Sequence, residues 1–193
     1  MATGLMADTA VYTPADDFDA WMRAEQRRVF LLCWRMLADR DEADTATQDV
    51  FVKAYRATRN GAEQPEDPAR WLTRVAVNTC LDRLRSRRLQ FWRRRAPAET
   101  EDALWREQAA AAPDPEDRVF AREIERRLMA ALARLTPRQR TVFTLRHFED
   151  KSLEEIADTL GVDIGSVKSH MFRAVQKLRA ELRELYCAGG TTK

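Results

Sequence analysis

Apolar positions along this chain recur at helical spacing, and no stretch alternates as a half-buried strand would. Between Asp16 and Leu37, the residues Phe18, Trp21, Met22, Val29, Leu32, Cys33 and Met36 fall at intervals of three, four and seven, the stripe of an amphipathic helix. A second helix is predicted to follow Asp39 or Asp41, with Ala46, Val50, Phe51, Ala54 and Tyr55 on its apolar side. A polar loop containing Asn60, Gly61, Pro65 and Pro68 separates it from a third helix over about Ala69 to Arg88. That helix carries Leu72, Val75, Ala76, Thr79 and Cys80 on one side. Farther on, Phe120, Ile124, Leu128, Ala131 and Leu135 form another helical stripe. Thr136 then precedes Pro137 in the order of an N-cap followed by proline at the first helical position, so a further helix extends to about His147.

Proline punctuates these elements, because inside a helix it removes a hydrogen bond and clashes with the preceding turn. From Ala96 to Asp117 the texture changes to alanines, three prolines and seven acidic residues against one base, Arg106. This reads as an acidic linker with a short helix near Leu104 to Ala110. The predicted fold class is therefore all-α, with two small helical domains joined by a linker. The boundaries are residues 16–95, linker 96–117 and residues 118–187, in a chain of 193. Two thin modules on such a tether are expected to hold no fixed separation.

The most specific local pattern lies between Ser152 and Leu185. Ser152 with Glu155 three residues later is a capping box, opening a short helix whose inner face is Ile156, Ala157 and Leu160. Gly161 supplies the turn, and Val162 and Val167 put apolar side chains where a second helix crosses the first. Ala157, Gly161 and Val167 thus have the spacing of a helix-turn-helix, the feature the C-terminal domain contains. Its second helix buries Val167, Met171, Ala174, Leu178 and Leu182. Ser166, Lys168, Ser169, His170, Arg173 and Gln176 are left facing outward or sideways, with Phe172 beside them. These polar groups suit phosphates and major-groove base edges. An ordinary helical hairpin with a solvated face would need three spacing constraints to coincide with a donor-rich face by accident.

A second signal is the run Arg83, Arg85, Arg87, Arg88, Arg93, Arg94 and Arg95, interleaved with Phe91 and Trp92. Arginines at the end of a helix can track phosphates while aromatics stack on unpaired bases; a solvated basic surface is the alternative. Trp71 reads equally as a core residue or a stacking one.

Composition narrows the remaining classes. Lys and Arg number 33 against 31 Asp and Glu, a net charge of +2, so only the distribution of charge can mark a nucleic-acid binder. Cys33, Cys80 and Cys187 stand far apart with only His147 and His170 to help, which indicates neither a zinc site nor a disulfide framework. Buried free thiols are the expectation. Glycines are too few and scattered to build a phosphate-cradling loop, and no nucleophile elbow, paired acid and base or cofactor motif is present. No enzyme, metal or cofactor is expected. No apolar run approaches the length of a membrane span or a secretory signal, so the reading is a cytoplasmic protein without membrane partners.

Taken together these residues resemble a family. Asp41-Glu42-Ala43-Asp44 through Gln48-Asp49-Val50-Phe51, followed by Ala54-Tyr55-Arg56, resembles the helix with which sigma factors grip the clamp of RNA polymerase. Trp71-Leu72-Thr73-Arg74-Val75-Ala76-Val77-Asn78, with Asp82-Arg83-Leu84-Arg85, resembles the family's downstream-promoter helix. Leu135-Thr136-Pro137-Arg138-Gln139-Arg140 and the helix-turn-helix resemble the domain that reads the upstream −35 element. The resemblance, to sigma-70 factors of the extracytoplasmic-function (ECF) type, spans most of Phe18 to Leu185.

It implies core RNA polymerase and promoter DNA as partners, leaves room for an anti-sigma factor, and assigns roles. Gln48, Asp49, Phe51 and Tyr55 would bind core polymerase. Asn60, Trp71, Arg74, Asn78, Arg83, Arg85, Arg87 and Arg88 would act at the −10 element and in melting, with a flipped base captured near Asn60 to Pro68. Ser166, Lys168, Ser169, His170, Phe172, Arg173 and Gln176 would read the −35 element. Thr45, Thr47 and His170 depart from the family's usual residues. The rival is a response-regulator or quorum-sensing activator, which shares the terminal helix-turn-helix but normally carries strands in its N-terminal half.

Overall fold

The computed structural model of the protein describes residues 17–59, 65–93 and 115–183, and among these residues there are seven helices and no strand. The expected short helix at 104–110, and Asn60, Arg94, Arg95 and Cys187, lie outside the described residues.

Three helices form the first half: α1 (Phe18–Leu37), α2 (Arg40–Arg59) and α3 (Pro68–Arg93). Each starts on an aspartate. Oδ1 of Asp17, Asp39 and Asp67 accepts from the backbone N–H of Ala20, Glu42 and Arg70, each at 2.9 Å. Such caps satisfy N–H groups that have no partner inside the helix and place negative charge at its positive end. Pro68 at the first position of α3 loses no hydrogen bond there. Helix α1 stops at Ala38, which takes the left-handed conformation (φ 55°) while its N–H bonds Trp34 O at 2.8 Å. The three helices pack on one another and bury Leu32, Cys33, Met36, Val50, Leu72, Val77 and Cys80. Full burial of each large aliphatic side chain contributes about 1.5–3 kcal/mol. Cys33 and Cys80 are buried free thiols. Their mutual hydrogen bond, with burial added, pushes the Cys80 thiol well up, so it stays protonated and inert. Tyr55 departs from the expected stripe: it is 43 % exposed.

The second half comprises α4 (Pro115–Ala133), α5 (Pro137–His147), α6 (Leu153–Leu160) and α7 (Ile164–Glu181). Helix α4 begins inside the stretch read as linker, with Pro115 at its first position. Thr136 caps α5 as expected, and Gln139 completes a capping box: Thr136 N–H donates to its Oε1 at 3.2 Å. Leu132, Leu135, Val142, Leu145, Ile156, Val167, Ala174 and Leu178 form the buried interior.

The two halves are not independent, which corrects the expectation of modules without a fixed separation. Helix α1 packs against α5, and Arg140 is buried at their junction. Its guanidinium donates to Met36 O at 3.0 Å, Ala133 O at 3.1 Å and Leu135 O at 3.3 Å. Met36 O belongs to the last turn of α1, where the helix dipole is negative, so a cation without a carboxylate is tolerated. Burial, and secondarily the charge of Arg87, lowers the Arg140 pKa to about 10, which leaves it charged at neutral pH. Arg28 of α1 reaches Glu149, just after α5, at 2.6 Å and Thr73 Oγ1 of α3 at 3.0 Å; the Glu149 side chain is only 4 % exposed. Arg35 sits over the Phe148 ring, 4.0 Å from its centre. Spacing rules could not show the contacts of Arg140 with Met36 O, Arg28 with Glu149 and Arg35 with Phe148, because each joins residues from opposite halves of the chain.

Candidate nucleic-acid interface

The helix-turn-helix is set by side chains close in sequence. Ser152 Oγ accepts from Glu155 N–H at 3.1 Å and the Glu155 carboxylate accepts from Ser152 N–H at 2.8 Å. These bonds hold Glu155 below the usual carboxylate range. Gly161 takes φ 61°, ψ 41°, a left-handed conformation that glycine adopts at little cost, and Val162 N–H closes the turn on Ala157 O at 3.1 Å. Asp163 then caps α7, accepting from Ser166 N–H at 2.8 Å and Ser166 Oγ at 2.6 Å. A Cβ on Gly165 would lie 3.0 Å from Asp163 Oδ1, so glycine leaves room for the cap. Ile156 of α6 and Val167 of α7 are fully buried where the helices pack.

Lys168, Ser169, Phe172, Arg173 and Gln176 are exposed along one face of α7. At 1.5 Å per residue that face is about 12 Å long, a match to the major groove. Phe172 is 66 % exposed, an apolar ring available to a thymine methyl. Ser166 and His170 differ from the others. The Ser166 hydroxyl is committed to Asp163. His170 is half-buried, and its Nδ1 is enclosed without a hydrogen-bond partner among the described residues. Burial, then the charges of Arg173 and Arg138, depresses its pKa, so it is neutral at pH 7. Arg138, read in the sequence only as part of the run from Leu135 to Arg140, is brought by α5 near His170 of α7.

Helix α3 presents Arg74, Asn78, Asp82 and Arg85 as exposed residues one turn apart, with Trp71 half-buried against the core at the start of the strip. The remaining arginines are engaged. Arg83 bonds Asp49 Oδ2 at 2.5 Å, and Arg87 pairs with Glu42 and, at 3.4 Å, with Asp39. The basic run is therefore not a free patch: two of its members tie α3 to α2. Arg85 faces solvent beside Asp82 at 3.0 Å. Arg74 and Arg70 both donate to Asp158 Oδ2 of α6, at 2.5 and 2.9 Å. Arg88 lies on α3, with its side chain outside the described residues.

On the other side of α2 an open groove of about 550 Å³ is lined by Phe18, Met22, Thr47, Gln48, Phe51, Val52 and Tyr55, with Asp44 and Arg56 beside them. Phe18 and Tyr55 meet edge to face with centroids 5.2 Å apart, and Trp21 and Phe51 do so at 6.2 Å. Val52 is 47 % exposed. Three of the four residues expected at a polymerase surface, Gln48, Phe51 and Tyr55, thus share one groove. Asp49 does not: it faces α3 and Arg83. Phe18, Met22 and Val52 were not read as surface residues; an apolar Val52 off the buried stripe was the available signal. No group of His, Cys, Asp or Glu among the described residues is arranged to hold a metal ion. No described helix is long and apolar enough to cross a membrane.

Comparison with known proteins identifies the family. Residues 16–90 match the family model for Sigma-70 region 2, and residues 125–178 match that for Sigma-70, region 4. The ECF RNA polymerase sigma factor SigW of Bacillus subtilis is 30 % identical over 159 residues, covering 82 % of this chain and 84 % of SigW. The RNA polymerase sigma-H factor of Pseudomonas aeruginosa is 34 % identical over 174 residues, covering 87 % of each chain. In three dimensions the chain has the fold of sigma factor RpoE from Bartonella quintana, solved in complex with the anti-sigma factor NepR. That comparison has a TM-score of 0.65 at 22 % identity and covers 86 % of this chain and 97 % of the other. CnrH, solved with the cytosolic domain of CnrY, superposes with a TM-score of 0.57 at 21 % identity, covering 86 % and 88 %. Two family models in order, relatives of matching length and the absence of strands among the described residues of the N-terminal half leave no support for the response-regulator reading: the chain belongs to the ECF type of sigma-70 RNA polymerase sigma factors, which direct core polymerase to specific promoters.

Proposed function

We propose that the chain acts through three separate surfaces: the α2 groove binds core polymerase, the exposed strip of α3 engages the −10 element during melting, and the outer face of α7 reads the −35 element. Residues 16–95 form the first unit, 96–117 a linker and 118–187 the second. The observation that carries this reading is that exposed Lys168, Ser169, Phe172, Arg173 and Gln176 form one face of the second helix of a helix-turn-helix. Lysine and arginine on that face meet phosphates and guanine edges, while the ring meets a thymine methyl. On α3, Arg74 and Arg85 supply charge to a separated strand. Trp71 and Asn78 supply stacking and hydrogen bonding to unstacked bases, which lowers the cost of melting. In the groove, Phe51 and Tyr55 give the apolar centre and Gln48 the polar edge of a protein interface. The chain performs no catalysis of its own, works in the cytoplasm, and takes an anti-sigma factor as a regulatory partner. The last point is supported by the partners with which two of its structural neighbours were solved.

The test is competition for core polymerase against a labelled parent chain. Val52→Asp and Tyr55→Ala change exposed positions and leave the helix intact, so each should weaken binding at least tenfold with unchanged circular dichroism. Parent-like competition by both would remove the groove from the interface.

A further inference from the structure

The core of the first half holds a pair of nucleophilic groups that none of the three surfaces uses. Cys33 lies on α1 and Cys80 on α3, and both are fully buried where these helices pack on each other. The two thiols hydrogen-bond to each other, and Thr47 of α2 lies within reach of Cys33. Thiols in mutual contact stand close to the Cβ separation of about 3.5–4.5 Å that a disulfide requires, so a bond closes with a small shift of α3 towards α1. Their affinities for a proton diverge. The hydrogen bond from Cys80 lowers the Cys33 pKa against the opposing pull of burial, with Thr47 and the charge of Arg83 adding smaller contributions. Cys80 is pushed up first by that same bond, then by burial and by the charge of Cys33. The proton of the pair thus stays on Cys80 and leaves Cys33 with thiolate character, the property that makes a cysteine sensitive to oxidation.

We infer that Cys33 and Cys80 form an oxidation site at which hydrogen peroxide joins α1 to α3 through an intramolecular disulfide, and that the joined form opens promoters poorly. Disulfide formation rests on the thiol contact; the loss of opening rests in addition on the role proposed above for α3. In the first step the Cys33 thiolate attacks one peroxide oxygen, the O–O bond breaks, and hydroxide leaves behind a sulfenic acid at Cys33. Cys80 is inert while an anionic Cys33 holds its proton. Once Cys33 is a neutral sulfenic acid that acceptor is gone, and the nearby charge of Arg83 favours the Cys80 thiolate. The released hydroxide takes the Cys80 proton, the Cys80 thiolate attacks the Cys33 sulfur, and the S–O bond breaks. The second hydroxide recovers the proton that Cys33 had lost, so two thiols give up two electrons and the peroxide becomes two waters. Burial sets the selectivity. Peroxide is small enough to enter during local opening of the helices, whereas bulkier thiols such as glutathione do not reach a sulfur with no exposed surface, which leaves Cys80 as the resolving thiol. The bond acts on α3 through the backbone. Asn78 and Asp82 flank Cys80 on the exposed strip, and Arg83, one turn on, ties α3 to Asp49 of α2. Because a packed interior transmits strain, drawing Cys80 towards α1 displaces the strip and that tie together.

The full chain carrying Cys187→Ser, which leaves these two thiols, tests the inference. The folded protein is treated with hydrogen peroxide and digested without reduction. Mass spectrometry should find one peptide pair joined through Cys33 and Cys80, lighter by two hydrogens than the separate peptides and released by dithiothreitol. In Cys80→Ala, dimedone added on unfolding should mark Cys33 as the sulfenic acid; in Cys33→Ala it should leave Cys80 unmarked. With core polymerase, the oxidised protein should open a cognate promoter severalfold less than the reduced protein by permanganate reactivity, at unchanged circular dichroism, and dithiothreitol should restore opening. Cys33→Ala and Cys80→Ala, which have no bond to form, should keep their own level of opening after peroxide. Absence of the joined peptide would overturn the oxidation site, and that measurement does not depend on either alanine variant folding. A loss of opening as large in Cys33→Ala as in the unsubstituted pair would overturn the link between the bond and opening. The role of α3 fails separately. If the bond forms and opening is unchanged while Arg74→Ala impairs opening, the regulatory effect is wrong; if Arg74→Ala also opens like the parent, α3 is not the strand-binding face and the oxidation site stands.

Discussion

Helices α3 and α7, the two proposed to meet nucleic acid, present their cations differently. Along its run α3 carries the denser charge, yet Arg83 and Arg87 are paired with Asp49, Glu42 and Asp39 on the helix it packs against, and Arg74 is held by Asp158. Helix α7 has fewer basic residues, and Lys168 and Arg173 stand exposed at its face. The two helices thus differ in how much of their charge is already paired and how much is free to meet a ligand. A cross-helix pair also fixes two elements, so α3 spends part of its charge on holding the first half together.

The largest effect that would sharpen this comparison comes from beneath α7. Ile156 is fully buried between α6 and its neighbours, and Ile156→Ala should cost about 2–5 kcal/mol. Thermal melting followed by circular dichroism should show it, with loss of −35 binding. A cost under about 1 kcal/mol would mean that α6 is not packed as described. Next in size, Arg173→Ala should cost about 1–3 kcal/mol in promoter binding and relax specificity if Arg173 meets a base. If it meets a phosphate, the variant should reduce the salt slope by about one instead. No change in affinity, slope or specificity would show that α7 docks by another face.

A smaller effect separates the arginines of α3. Arg83→Ala should lower folding stability by about 0.5–1 kcal/mol through the lost tie to Asp49 and leave the salt dependence of promoter binding unaltered. Arg85→Ala should do the reverse, with stability unchanged and the salt slope of the polymerase–promoter complex reduced by about one. Identical behaviour of the two variants would erase the distinction between paired and available charge.

Smallest is a pH effect at His170, whose folded-state pKa is depressed by burial and by Arg173 and Arg138. The unfolded chain takes up this proton first, so its contribution to stability is intact above the ordinary imidazole value of about 6.5 and declines as pH falls below it. Melting the parent and His170→Gln at neutral and mildly acidic pH should show a steeper acid loss in the parent. Equal slopes would mean that His170 is solvated.

Local chemistry was legible in the sequence. The caps at Thr136 and Ser152, the turn at Gly161 and the inner face led by Ile156 and Val167 all depend on residues within a few positions of one another, and their spacing states the geometry. The outer face of α7 followed from the same periodicity. What spacing could not show were pairs far apart in the chain: Arg83 with Asp49, and Arg140 with Met36 O, 34 and 104 residues apart. Such pairs engage candidate binding residues such as Arg83 and Asp49 within the fold and join halves that a tether alone would leave loose. Tyr55 illustrates the same limit, since it lies near enough to the apolar stripe of α2 to read as core, while the open groove leaves it 43 % exposed.

That the chain opens promoters only as part of a complex is most directly tested by permanganate footprinting on a cognate promoter, comparing the free chain, core polymerase and the two together. Unpaired thymines at the −10 element should appear with the mixture alone, because core polymerase lacks the proposed −10 and −35 surfaces and the free chain lacks the polymerase that would set both on one promoter. Reactive thymines with the free chain would contradict the account.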